Sequence, residues 1–140
     1  MPPPQKTGLV VRVAPRENNA AQMVLEGPVD AHTFEQFRKA SQELIDGGTL
    51  WLVIDLRAMT YIASVGINYL INLRVQRRKA GGEVILVGPQ PAVYKILKML
   101  GLLEVLVVVP TLEEAWTQMR ERIKAAGGKP KGDVPLIGED

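Results

Sequence analysis

The sequence predicts a single α/β domain with a mixed β-sheet of four to five strands packed with about four helices, in the order β-β-α-β-α-β-α-β-α. Three observations lead there. The apolar runs Leu50-Trp51-Leu52-Val53-Ile54 and Val84-Ile85-Leu86-Val87 are continuous rather than alternating, as in parallel strands covered on both faces. The segments that follow them place apolar residues at helical spacing. Ahead of them, two short strand candidates lie close enough in sequence to pair as an antiparallel hairpin.

Those first two strands are Leu9 to Val13 and Ala21 to Leu25, separated by turn chemistry at Glu17-Asn18-Asn19 and closed by Gly27-Pro28. Thr33-Phe34-Glu35-Gln36 forms a candidate capping box for the first helix, with Asp30 competing as N-cap. That helix carries Phe34, Phe37, Leu44 and Ile45 on one stripe and stops at Gly47-Gly48. The Leu50 to Ile54 strand ends in Asp55. A loop then leads to Ser64, the predicted start of a helix with Ile67, Leu70, Ile71 and Val75 in register that runs to Gly81-Gly82. After the Val84 to Val87 strand, Pro91 opens a helix with Val93, Ile96, Leu97 and Leu100 inward, ended by Gly101. Val105 to Val109 reads as the last strand. Thr111-Leu112-Glu113-Glu114 caps a final helix carrying Leu112, Trp116, Met119 and Ile123. Leu52, Ile54, Ile85, Val87 and Val107 are the expected sheet core. The domain is expected to span residues 9–126, with flexible segments at 1–8 and 127–140, both rich in proline, glycine or charge.

A chain of 140 residues fits one domain, and a globule of this size buries roughly two thirds of its unfolded surface. With 46% hydrophobic and 23% charged residues it reads as globular rather than disordered. No cysteine is present, which removes disulfides, thiolate metal sites and thiol nucleophiles. His32 is the only histidine, so neither a zinc site nor a Ser-His-Asp triad is expected. No phosphate-binding glycine motif follows a strand, and no cofactor is expected. The basic residues are spread along the chain. Their densest group, Arg77-Arg78-Lys79, sits where cations complement a helix C-terminus, so direct nucleic-acid binding is not expected. No apolar run reaches the ~18 residues of a membrane span. The first residues lack a signal-peptide core, and the protein is expected to be cytoplasmic without membrane insertion.

Leu25-Glu26-Gly27-Pro28-Val29-Asp30, Val53-Ile54-Asp55-Leu56 and Tyr61-Ile62-Ala63-Ser64-Val65-Gly66-Ile67 follow one another in this order, and through them the sequence from about Leu9 to Ala125 resembles a STAS domain and, within that family, the bacterial anti-sigma-factor antagonists. Leu25-Glu26-Gly27-Pro28-Val29-Asp30 is similar to the family's L-x-G-x-hydrophobic-Asp strand end, and Val53-Ile54-Asp55-Leu56 to its central strand. Tyr61-Ile62-Ala63-Ser64-Val65-Gly66-Ile67 aligns with its aromatic-hydrophobic-Asp-Ser-[Ser/Thr]-Gly-Leu segment. Val84 to Gly88, Leu97-x-x-Leu100-Gly101-Leu102 and Thr111-x-x-Glu114-Ala115 complete the series in matching order.

The resemblance implies a non-enzymatic partner switch. Its partner would be an anti-sigma factor with histidine-kinase-like ATPase and serine kinase activity, and a serine phosphatase would reset it. Ser64 takes the position of the phosphorylated serine. The implied docking surface is Asp30, Ile62, Ser64, Gly66, Asn68 and Asn72. From the residues alone, Ser64 reads as a helix N-cap, a place where a phosphate is also well accommodated. Asn68 and Asn72, four apart, share a helix face and are expected to be exposed. Ala63 stands where the family has aspartate and Val65 where it has a second hydroxyl. Family members without the full motif act as unphosphorylated scaffolds or as soluble accessory subunits of membrane transport complexes.

Overall fold

The computed structural model describes residues 8–127, so the two segments expected to be flexible lie outside it except for Gly8 and Gly127. The elements are β1 (Val10–Arg16), β2 (Ala20–Val29), α1 (Phe34–Asp46), β3 (Trp51–Asp55), β4 (Met59–Ile62), α2 (Ser64–Lys79), β5 (Glu83–Val87), α3 (Pro91–Met99), β6 (Val107–Val109) and α4 (Leu112–Ala125), with a short 3-10 turn at Leu102–Glu104. This is the expected mixed α/β domain with one strand more than the sequence indicated.

The sheet runs β1-β2-β3-β5-β6, and β4 pairs with the end of β2. β1 is antiparallel to β2 and every other pairing is parallel. Alternation of side chains across the pleat explains the two apolar runs. Leu52, Ile54 and Leu86 join Met23, Leu25, Phe37, Leu70 and Leu97 in a core beneath α1, α2 and α3. Val53, Ile85 and Val87 point the other way, against Ala115, Met119 and Ile123 of α4. Leu52, Ile54, Ile85 and Val87 are fully buried, whereas Val107 is only partly covered because β6 is the sheet edge.

Several boundaries move. β2 does not stop at Gly27-Pro28. A register shift there hands the strand from β3 to β4, and pairing continues through Val29. Helix α2 begins at Ser64 with Ala63 as its N-cap, so Ser64 occupies the first helical position. The cause is long-range: the Ala63 N–H donates to the Val29 carbonyl at 2.8 Å, which holds Ala63 extended to the edge of the helix. Val75 and Leu100 face outward while Leu73 takes an inward place in α2. β6 starts two residues late because Leu102–Glu104 coil into the 3-10 turn. The Thr111 hydroxyl caps α4 by accepting from the Glu114 N–H, as its capping box predicts.

Glu83, at the start of β5, is the one acidic side chain whose residue is fully buried among those described. Its carboxylate accepts from Arg74 Nε at 2.7 Å and Nη2 at 3.1 Å, from Arg78 at 3.3 Å, and from the Val84 N–H at 2.9 Å. Arg74 also donates to the Val105 carbonyl, so one cluster ties α2 to β5 and to the approach to β6. Burial pushes the Glu83 carboxyl up, but the bonds from Arg74 and the Val84 N–H outweigh it and hold it below its ordinary value of 4.5. A depressed carboxyl stabilises the fold above its unfolded pKa, and that stability is lost as pH falls through the folded one. We therefore expect the unfolding free energy to begin falling below about pH 4.5. In Glu83→Gln the acid slope should be shallower by up to one proton, about 1.4 kcal/mol per pH unit, in urea titrations at pH 3 to 6. Identical slopes in the two proteins would remove Glu83 as a source of acid lability.

Candidate functional site

Asp30, Ile62, Ser64 and Gly66 lie where the end of β2, the strand β4 and the head of α2 come together, and Asn68 and Asn72 continue from there along α2. Asp55 prepares this end. Its carboxylate accepts from the Arg57 backbone N–H at 3.0 Å and from the guanidinium at 2.9 and 2.7 Å, which folds the chain from β3 into β4. Burial raises the Asp55 carboxyl and the Arg57 bonds more than reverse it, so the group stays ionised at neutral pH. β4 then lies beside Gly27–Val29 and delivers Ala63 to the head of α2.

Asp30 follows β2 directly and braces the turn that leads into α1, whose N-cap position is Thr33. Its Oδ1 accepts from the His32 and Thr33 N–H groups at 2.9 and 3.0 Å. The Thr33 hydroxyl makes no cap bond to α1. It accepts from the Asp30 N–H at 2.9 Å and lies 2.8 Å from the Pro28 carbonyl, to which it donates. Partial desolvation raises the Asp30 carboxyl, but the backbone bonds from Thr33 and His32 outweigh it and leave a net lowering. The turn thus fixes a negative charge beside the β4–α2 junction while committing only one carboxylate oxygen.

On α2, Ser64, Asn68 and Asn72 are all exposed and spaced four apart, so they form one polar ridge along the helix. Ser64 has no side-chain hydrogen bond among the described residues, and its helix has no acidic residue in the first turn. Ile62 and Gly66, named with them from sequence, lie beneath the surface instead. A Cβ at Gly66 would stand 2.8 Å from Val29 Cγ1 and 3.0 Å from Ile62 Cγ1. Gly66 therefore lets α2 sit close on β2 and β4 rather than opening the backbone to a visitor. Two apolar side chains missed from sequence replace them at the surface: Tyr61 is half exposed and Val65 is well over a third exposed. Tyr61 turns outward from β4 and Val65 from the first turn of α2, orientations that depend on how the two elements pack.

The site thus offers a free hydroxyl, two carboxamides, one fixed carboxylate and two exposed apolar groups. No group of three or more His, Cys, Asp or Glu side chains able to hold a metal occurs among the described residues. His32 is exposed in the turn after Asp30. No described helix is long and apolar enough to cross a membrane. The composition suits recognition of a protein surface.

A family model for the STAS domain matches residues 12–115. The chain is 29% identical over 91 residues to BtrV of Bordetella bronchiseptica, a protein that bears the name of an anti-sigma factor antagonist, covering 65% of this chain and 78% of that one. Among solved structures, the anti-sigma factor antagonist SpoIIAA in its unphosphorylated form superposes with a TM-score of 0.69 at 22% identity, covering 80% of this chain and 97% of that one. An anti-sigma factor antagonist from Mycobacterium paratuberculosis gives 0.70 at 23% identity, over 83% and 97%. The phosphorylated form of Bacillus SpoIIAA gives 0.62 at 22% identity, over 79% and 100%.

Proposed function

The chain belongs to the STAS domain family, and from that premise we propose that it is a non-enzymatic, cytoplasmic partner switch of the anti-sigma-factor-antagonist type. Unmodified, it would bind an anti-sigma factor that is also a histidine-kinase-like ATPase and serine kinase. Phosphorylation of Ser64 would release that partner, and a serine phosphatase would restore binding. The observation that carries this reading is the placement of Ser64: exposed, free of side-chain bonds, at the first position of a helix, on a ridge with Asn68 and Asn72 and between exposed Tyr61 and Val65. Asp30 supplies a fixed charge for a cationic group of the partner. Ile62 and Gly66 hold the ridge from below.

A second reading is favoured by one residue. Ala63 at the N-cap offers no side-chain acceptor to the helix and no carboxylate to an incoming phosphate donor. A domain of this shape that is never phosphorylated would serve as a scaffold or as an accessory subunit of a transport complex. The experiment incubates wild type, Ser64→Ala and Ala63→Asp with the serine-kinase anti-sigma factor and ATP, and maps phosphate by mass spectrometry. We expect incorporation at Ser64 in wild type, none in Ser64→Ala, and faster incorporation in Ala63→Asp. Equal incorporation in wild type and Ser64→Ala would move the acceptor elsewhere. No incorporation in wild type would leave the scaffold reading.

A further inference from the structure

The molecule has a second exposed surface that the Ser64 site does not use. Of the nine exposed large hydrophobic side chains among the described residues, three fall within seven residues: Met99, Leu100 and Val105. Met99 is 74% exposed and Leu100 59%, the two highest values of the nine. They sit where α3 ends at Gly101, whose φ of 73° turns the chain sharply into the 3-10 turn and on to β6. β6 is the sheet edge and has no neighbour on its outer side among the described residues. Scattered single apolar residues on a surface need no explanation, but a cluster at a sheet edge marks an interaction surface.

The charges around this cluster say what covers it. Lys95 and Lys98 are exposed on α3 before Met99 and Leu100, and Glu104 is exposed after them, beside Val105. None of the three takes part in an ion pair or side-chain hydrogen bond among the described residues. An apolar centre with unpaired cations on one flank and an unpaired anion on the other is complementary to itself under a two-fold rotation. In that arrangement Lys98 of each copy faces Glu104 of the other, while Met99, Leu100 and Val105 are buried at the axis. A purely anionic partner or an anionic membrane would use the lysines and be repelled by Glu104. Strand addition contributes little, since β6 has three residues and stops at Pro110.

We propose that the chain forms a two-fold dimer through the C-terminal end of α3, the 3-10 turn and the start of β6, with Met99 and Leu100 at its centre. The pairing is independent of the Ser64 reading and requires no partner protein, so it is tested on the full chain alone. Sedimentation equilibrium across micromolar concentrations should show a reversible monomer–dimer transition in wild type. Met99→Asp should raise the dimer dissociation constant at least tenfold and leave unchanged the thermal melt taken at concentrations where wild type is monomeric, because the side chain is exposed in the single chain. Lys98→Glu and Glu104→Lys should each weaken the dimer, and the double exchange should restore it. That restoration is a signature which loss of apolar area cannot mimic. A wild type that stays monomeric throughout, or a dimer unaffected by Met99→Asp, overturns the proposal. Co-sedimentation of a monomeric chain with phosphatidylglycerol vesicles, abolished by Met99→Asp, would assign the patch to a membrane surface and overturn it equally.

Discussion

Gly82→Ala should cost more than about 4 kcal/mol and leave much of the chain unfolded, although it adds a single methyl group. A Cβ at this position would stand 1.8 Å from the Leu50 carbonyl oxygen, 2.6 Å from its carbon and 3.0 Å from its Cα. All three are backbone atoms, so no side-chain rotation relieves the overlap. The chain is pinned on both sides of the contact: the Gly82 N–H donates to Arg77 at 2.7 Å, and the Glu83 N–H donates to that same Leu50 oxygen at 3.0 Å. Relief therefore requires β5 to part from β3 at the point where their ladder begins. The same displacement would draw Glu83 away from Arg74 and leave a buried carboxylate under-paired, itself a loss of several kcal/mol. Gly81 is the control. It has a φ of 97° and open space where a Cβ would go, so Gly81→Ala should cost only the roughly 1–2 kcal/mol of a left-handed backbone. Urea denaturation of both variants measures the difference. A loss below about 1 kcal/mol in Gly82→Ala would show that the β3–β5 junction has slack the structure does not reveal.

The features legible in the sequence were those whose cause is local. β3 and β5 announce themselves because covering both faces of a strand demands an unbroken apolar run, and all five residues of each are buried. Thr111 and Glu114 announce the start of α4 because a capping box lies within four residues. β4 was hidden. Its burial runs buried-exposed-exposed-buried over Met59–Ile62, neither alternating nor continuous, and its partner is the end of β2 some thirty residues away across a register shift. That same long-range pairing decides where α2 starts, so the displacement of the N-cap from Ser64 to Ala63 has the same origin. The candidate site was half legible. Asp30 and Ser64 lie at one end of the sheet, and Asn68 and Asn72 follow Ser64 along one exposed face of α2. Ile62 and Gly66 belong to the same sequence motif because they pack that end, and a motif cannot distinguish a residue that touches a partner from one that supports it. Tyr61, Val65 and the Met99-Leu100 pair escaped because their outward orientation depends on how the elements pack.

Under the proposed partner-switch function, phosphorylation of Ser64 should weaken binding of the anti-sigma factor by roughly 2–5 kcal/mol, about thirtyfold to several thousandfold, while changing the stability of the domain by less than about 1 kcal/mol. The two effects differ because one anion meets two environments. Toward its own helix, a phosphate of −1.5 to −2 charges faces the positive end of α2. At that end the Ser64 and Val65 N–H groups precede the first intrahelical bonds, which the Gly66 and Ile67 N–H groups make to Ala63, and no acidic side chain lies in the first turn. The helix end therefore accommodates the charge, opposed in part by the Asp30 carboxylate fixed beside the junction. Toward a partner, the phosphate stands between Tyr61 and Val65, whose exposed apolar surface would be covered in the complex. Covering it would strip water from a dianion, and it would bring the dianion toward whatever carboxylates the partner aligns with Asn68 and Asn72. Ser64→Asp carries one charge and fewer acceptor oxygens, so its loss should be smaller than that of the phosphorylated form. Ser64→Ala removes only a hydroxyl and should bind within a few-fold of wild type. Calorimetric titration of the four forms into the anti-sigma factor, with thermal melts of each alone, separates the two effects. Equal affinity of the phosphorylated and unmodified forms would show that the ridge bearing Ser64 lies outside the interface. A melt lowered by more than a few degrees would show instead that release proceeds by unfolding the head of α2.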